Sequence, residues 1–166
     1  MALIDGLLQE LEQEAATTRR VLERVPEHQL RWRPHPKART LGELALHVAM
    51  VPGGVAQLAA ASSPAQAPQF VDPSPTSAAE LLPALDESLA TAKQVLGGMD
   101  DGMALSTLRM VQGERELFAL PRAALLRSIM LNHWYHHRGQ LSVYLRELDV
   151  PVPSIYGPSA DENPFA

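Results

Sequence analysis

Fourteen prolines in 166 residues limit how this chain can fold more than any other feature. Proline lacks a backbone N–H and clashes with the preceding helical turn, so it fits a helix's first turn and stops or kinks one elsewhere. Pro26, Pro34 and Pro36, then Pro64, Pro68, Pro73 and Pro75, then Pro121, and finally Pro151 and Pro153 mark off four long stretches. Each stretch carries apolar residues at helical spacing. Residues 2–24 repeat Leu3, Leu7, Leu8, Leu11, Ala15, Thr18 and Leu22, with Glu10, Glu12, Glu14, Arg19 and Arg20 largely off that stripe. Thr40-Leu41-Gly42-Glu43 is a capping box, a Thr N-cap with Glu three residues on, and it opens a second helix. Pro52 and Gly53-Gly54 are expected to kink or end this helix, which then resumes through residues 55–61. Ser77-Ala78-Ala79-Glu80 is a second capping box, opening a third helix to about Leu96, and Gly97-Gly98 stop it. Pro121 suits the first turn of a fourth helix reaching about Glu147. Leu125, Ile129, Leu141, Tyr144, Leu145 and Leu148 form its expected apolar face.

The connections are less regular. Residues 62–76, with four prolines among Ser, Ala and Gln, read as an extended crossover within one domain spanning 1–166, because neither flank has helices enough for a separate core. Residues 99–119 admit a short irregular hairpin around Gln112-Gly113-Glu114 or an ordered loop. Ala and Leu dominate the apolar residues and aromatics are only 5%, which favours packed helices over sheets. The expected fold is all-α, a four-helix bundle with one long crossover between helices two and three.

Net charge is −5, which argues against a nucleic-acid footprint. The absence of cysteine removes disulfides, thiolate ligands and a cysteine nucleophile, so any thiol chemistry needs sulfur from a substrate or cofactor. The first residues are amphipathic and acidic without a signal-peptide pattern. No apolar run approaches the roughly 20 residues that span a bilayer. The expectation is a cytoplasmic protein without membrane or nucleic-acid partners.

The chemistry concentrates in Leu131–Gln140, which holds three of the six histidines. His133 and His137 are four residues apart, one above the other on a helix, while His136 at three residues is the competing partner. His47, one turn beyond Glu43 on the second helix, can face the fourth. Imidazole is neutral near pH 7 and keeps a lone pair, so three of them can hold a divalent ion and leave coordination positions open. A zinc-protease motif would need Glu at Trp134. An iron site of two histidines and a carboxylate lacks an acid on the fourth helix, and Glu43 is better explained by its capping box. Ser128 and Ser142 lack a nucleophile elbow. His28 and His35 are expected in solvent. Arg31, Arg33, Lys37 and Arg39 crowd one loop, read more simply as solvated than as an anion-binding rim. Trp32 is expected to anchor that loop by packing.

Three segments together resemble the DinB-like superfamily of metal-binding bundles. They are Leu30-Arg31-Trp32-Arg33-Pro34 with Thr40 to His47, Asn132-His133 through Leu141, and the tail Pro151 to Glu162 with Ile155-Tyr156-Gly157-Pro158. The resemblance implies an up-up-down-down bundle, a homodimer, and a divalent metal (zinc, nickel, iron or manganese) held by His47, His133 and His137, with His136 a neighbour. It also implies relatives that are transferases and isomerases using low-molecular-weight thiols. Two functions follow: a metal-dependent enzyme activating a thiol or water on an unknown small-molecule substrate, or a non-catalytic metal-stabilised stress-response or binding protein. Arg138-Gly139-Gln140 is expected to serve packing or a dimer contact.

Overall fold

Ile4, Leu7, Leu11, Thr18, Val21 and Leu22 line the buried face of α1 (Leu3–Leu22) in the computed structural model, which describes residues 3–69 and 73–165. Two of the expected positions on this helix change roles. Leu3 is exposed, and Glu14 lies inside with 8% of its surface accessible. A buried carboxylate demands a partner, and Arg138 supplies it.

The Thr40 capping box is formed in full and starts α2 (Leu41–Ala60). The helix runs unbroken through Pro52, where the sequence suggested a kink or an end. Among the described residues, α2 alone is long and apolar enough to cross a membrane, contrary to the sequence expectation. Its mean hydropathy is 1.2, but 56% of that window is buried in the protein interior, so the core accounts for its apolarity. At Gly53 a Cβ would sit 2.8 Å from the Ser88 carbonyl oxygen, and only glycine lets α2 and α3 (Leu81–Gly97) approach so closely. The Gly53 N–H donates to Ser88 Oγ at 2.8 Å, and that hydroxyl donates to the Met50 carbonyl at 3.1 Å. The Ser77 box is also complete, capping a single 3-10 turn that leads into α3.

The all-α expectation needs amending. After the short α4 (Asp101–Leu105), strands β2 (Thr107–Gln112) and β3 (Arg115–Pro121) pair antiparallel around a two-residue turn. Gly113 begins the turn at φ 61°, a conformation that suits glycine at the first position of a tight hairpin. β1 (Ala65–Gln66), from the proline-rich crossover, adds in parallel to β2. Leu108 and Met110 turn this small sheet's face into the core, and Val111, beside a register shift, is buried as well.

The fourth helical stretch is also not uniform. α5 (Arg122–Leu125) passes into a π-helical segment, Leu126–Asn132, and then into α6 (His133–Glu147). A π turn holds more than four residues, so the buried positions step by five: Leu125 to Met130 and Leu126 to Leu131, all 0% exposed. Ile129, assigned to the apolar face by α-helical counting, is 41% exposed for this reason. Among the described residues, four long helical segments surround one contiguous apolar cluster. α2 packs on α3 and α6, and α1 on α3 and α6.

Candidate metal centre

His47 sits on the second turn of α2, half-buried, and its ring faces α6. His133 opens α6 and His137 follows one turn later, so the helical pitch sets their rings edge-to-face with a 4.3 Å centroid separation. The structure brings the three imidazoles together, with one ring nitrogen from each lying within 4.8 Å of the other two. His47 Nε2 and His133 Nε2 are 3.2 Å apart. Two imidazole nitrogens bound to one ion at about 2.1 Å lie roughly 3.0 to 3.4 Å from each other, so the spacing of the His47–His133 pair fits a divalent cation. His136 is exposed and packs its ring against His137 at 5.0 Å, outside this cluster. His28 and His35 are exposed in the 26–39 loop.

The charge state suits a metal as well. Burial is the main force that lowers the His133 pKa, with the His136 and Arg39 charges adding to it. Burial pushes His137 down to about 4, against the opposing effect of the hydrogen bond it donates to Gln140. Desolvation disfavours the protonated ring, so both imidazoles are neutral at pH 7 and keep a lone pair. His137 Nδ1–H donates to Gln140 Oε1 at 2.7 Å, which holds the proton on Nδ1 and presents Nε2 to the cluster. A hydrogen-bonded outer partner of this kind fixes tautomer and ring orientation in metal sites. Gln140, expected in packing or a dimer contact, instead serves His137, and its place three residues after that histidine puts it within reach on a helix.

Neighbouring residues hold the helices in place. Trp134, fully buried, donates its indole N–H to the Val48 carbonyl at 2.7 Å. Arg138 is 1% exposed and faces α1, where its guanidinium donates to the Glu14 carboxylate, to the Glu14 carbonyl at 3.2 Å and to Thr18 Oγ1 at 3.0 Å. Tyr156 of the C-terminal tail closes this network by donating to Glu14 at 2.9 Å. Arg138 is therefore a buried structural cation.

Glu43 serves its cap: it accepts from Thr40 N at 2.8 Å and from the Ser74 hydroxyl at 3.0 Å. In the basic loop Arg31, Arg33 and Lys37 are exposed, while Arg39 is half-buried and its charge acts on His133 and His137. Trp32 packs edge-on against Tyr144 at 5.5 Å, as expected of an anchor. Ser128 and Ser142 donate to backbone carbonyls of their own helical stretch. A groove of about 430 Å3 between this loop and the crossover, lined by Glu27, His28, Arg31 and Ser74 among others, includes none of the three clustered histidines.

The DinB family pattern matches residues 2–164. The chain belongs to the DinB family. YrdA of Bacillus subtilis strain 168, an uncharacterized protein, is 27% identical over 159 residues, spanning 96% of this chain and 91% of YrdA. Among solved structures, a DinB-like protein of Bacillus cereus ATCC 10987 aligns with a TM-score of 0.71 at 24% identity, covering 92% of this chain and 97% of the other. The DinB-like protein YjoA of Bacillus subtilis aligns with a TM-score of 0.64 at 16% identity, covering 88% and 95%. Both likenesses concern the fold. This DinB-family chain is thus mostly helical, with a small three-stranded sheet and a three-histidine group that could hold a metal ion.

Proposed function

We propose that this DinB-family chain binds one divalent metal through His47, His133 and His137 and uses it to activate a low-molecular-weight thiol or water, as a transferase or hydrolase. The observation that carries the reading is the convergence of three imidazoles without a carboxylate among them. Three neutral ligands leave the ion its full charge and leave positions open for a substrate. Such an ion, when bound, supplies Lewis acidity that lowers the pKa of a coordinated thiol or water. The protein's own share is preorganisation. His133 and His137 are kept unprotonated by burial, Gln140 holds the proton on His137 Nδ1, and the Arg39 charge favours an anionic ligand. The chain's lack of cysteine suits a thiol brought from outside. The reading extends, by family resemblance, to an up-up-down-down helix order and a homodimer.

Metal analysis of the purified protein, followed by cobalt(II) substitution, tests this. The expected result is about one equivalent of metal, lost in H133A, and a visible spectrum that shifts on adding a small thiol. Protein that takes up no metal, or that binds it equally after H133A, overturns the site. A spectrum indifferent to thiols and to exchangeable water supports a second reading, a metal that only clamps the fold. The span of 86 residues between His47 and His133 favours that reading, because an ion bridging two such distant helices stabilises the folded state.

A further inference from the structure

Pro52 stands inside α2 without breaking it, and Trp134 explains why. In an α-helix the N–H of residue 52 would donate to the carbonyl of Val48. Proline has no N–H, and its ring crowds that carbonyl, an arrangement that ordinarily kinks or breaks a helix. Val48 is 0% exposed, so water cannot serve the carbonyl instead. Trp134 has the complementary problem: it is 0% exposed, and its indole N–H is a donor with no acceptor capacity of its own. The 2.7 Å bond from Trp134 Nε1 to the Val48 oxygen satisfies both groups at once.

The position of this bond matters more than its energy. Val48 follows His47 directly, and Trp134 follows His133 directly. The bond therefore joins α2 to α6 beside the point where His47 Nε2 and His133 Nε2 stand 3.2 Å apart. Rotation of either helix about its axis, or sliding of one past the other, would break it.

We infer that Pro52 and Trp134 are paired positioning residues: proline exposes the Val48 carbonyl to a donor from α6, and the tryptophan uses it to hold His47 against His133 and His137. The inference rests on the three-histidine metal reading. The bond touches none of the three imidazoles and acts by fixing the helices that carry them; loss of such support around a ligand set is expected to change affinity by about tenfold to a hundredfold.

Cobalt(II) titration of the full chain, read by visible absorption, with thermal melting of the metal-free protein alongside, tests it in wild type, W134F, P52A and W134F/P52A. Trp134→Phe keeps an aromatic ring and removes the N–H. It should weaken cobalt binding by about tenfold or more and lower the melting temperature. Pro52→Ala supplies an N–H at position 52 that competes for the Val48 carbonyl, giving an intermediate affinity. In the double variant that N–H satisfies the carbonyl, so the melting temperature recovers while the affinity stays weak, because nothing ties α2 to α6. Wild-type affinity in W134F, or recovery of affinity together with melting temperature in the double variant, overturns the inference. Should W134F fail to fold, the double variant compared with P52A makes the same test. Cobalt binding abolished by H133A but untouched by W134F overturns only this inference, whereas a wild type that binds no cobalt overturns the metal reading and this inference with it.

Discussion

The two sides of α6 solve opposite electrostatic problems within six residues, His133 to Arg138. Toward α2, His133 and His137 are stripped of water and stay neutral, because burial lowers the pKa of an imidazole. Toward α1, Arg138 is buried more completely, at 1% exposure, yet it stays charged. A guanidinium does not lose its proton in proteins, and Glu14, Thr18 and Tyr156 surround it. Tyr135 and Arg127 extend that side by donating to Glu10. The lesson is that burial acts through the chemistry of the side chain: an imidazole gives up its proton, whereas a guanidinium cannot and has to be supplied with partners. One face is left able to receive a cation, and the other already contains one.

Breaking the ionic face should have the largest effect. R138A leaves the Glu14 carboxylate buried without its partner, and the expected loss is about 3–5 kcal/mol in unfolding free energy by denaturant titration. Replacing both, as R138M/E14L, should recover much of that loss, since a packed apolar pair substitutes well for a buried ion pair. A single variant no less stable than wild type would show that the two faces do not differ as argued.

On the histidine face, H137A should leave stability of the metal-free protein nearly unchanged but weaken metal binding by roughly 3 kcal/mol, one ligand's share of a multi-ligand site. Calorimetric titration measures it. Loss of folding in place of loss of metal would mean that His137 belongs to the core.

Acidification should separate the faces by pH. The unfolded imidazoles titrate near 6.5, whereas folded His137 titrates at about 4 and folded His133 below 6.5. The unfolded state binds more protons in that window, so metal-free stability is full above about pH 6.5 and falls as pH drops toward 4. The Arg127 hydrogen bond lowers the Glu10 carboxyl below its usual 4.5, so the stability it contributes is present above that value and disappears only at lower pH. Melting curves from pH 8 to 3 should show the two losses in that order, the first one absent in H133Q/H137Q.

The smallest effect sharpens the comparison. Q140L removes the acceptor for His137 Nδ1–H and should weaken metal binding by about tenfold while leaving the Arg138 network intact, as read by unchanged melting of the metal-free protein.

Much of this molecule was readable along the chain. Both capping boxes, the prolines outside helices, the Gly113 turn as one of two options and the helical spacing of His133 and His137 are local features, dictated by residues within four positions of one another. The failures share a cause. Ile129 was misplaced because the π turn depends on how Leu126–Leu131 packs against α2, which no local count reveals. Glu14 looked like a solvent-facing charge because its partner lies 124 residues away. β1 needed β2, about 45 residues on, before Ala65 and Gln66 could be strand at all.

By itself, then, the sequence determined the two capped helix starts, the pairing of His133 with His137 and the family, because capping and helical pitch act over one or two turns. Only the tertiary structure decided that His47 meets that pair, that Pro52 leaves α2 intact and that Arg138 is a buried cation. Each of those depends on a hydrogen bond or ring contact between α6 and a distant helix, and such contacts exist only once the chain has packed.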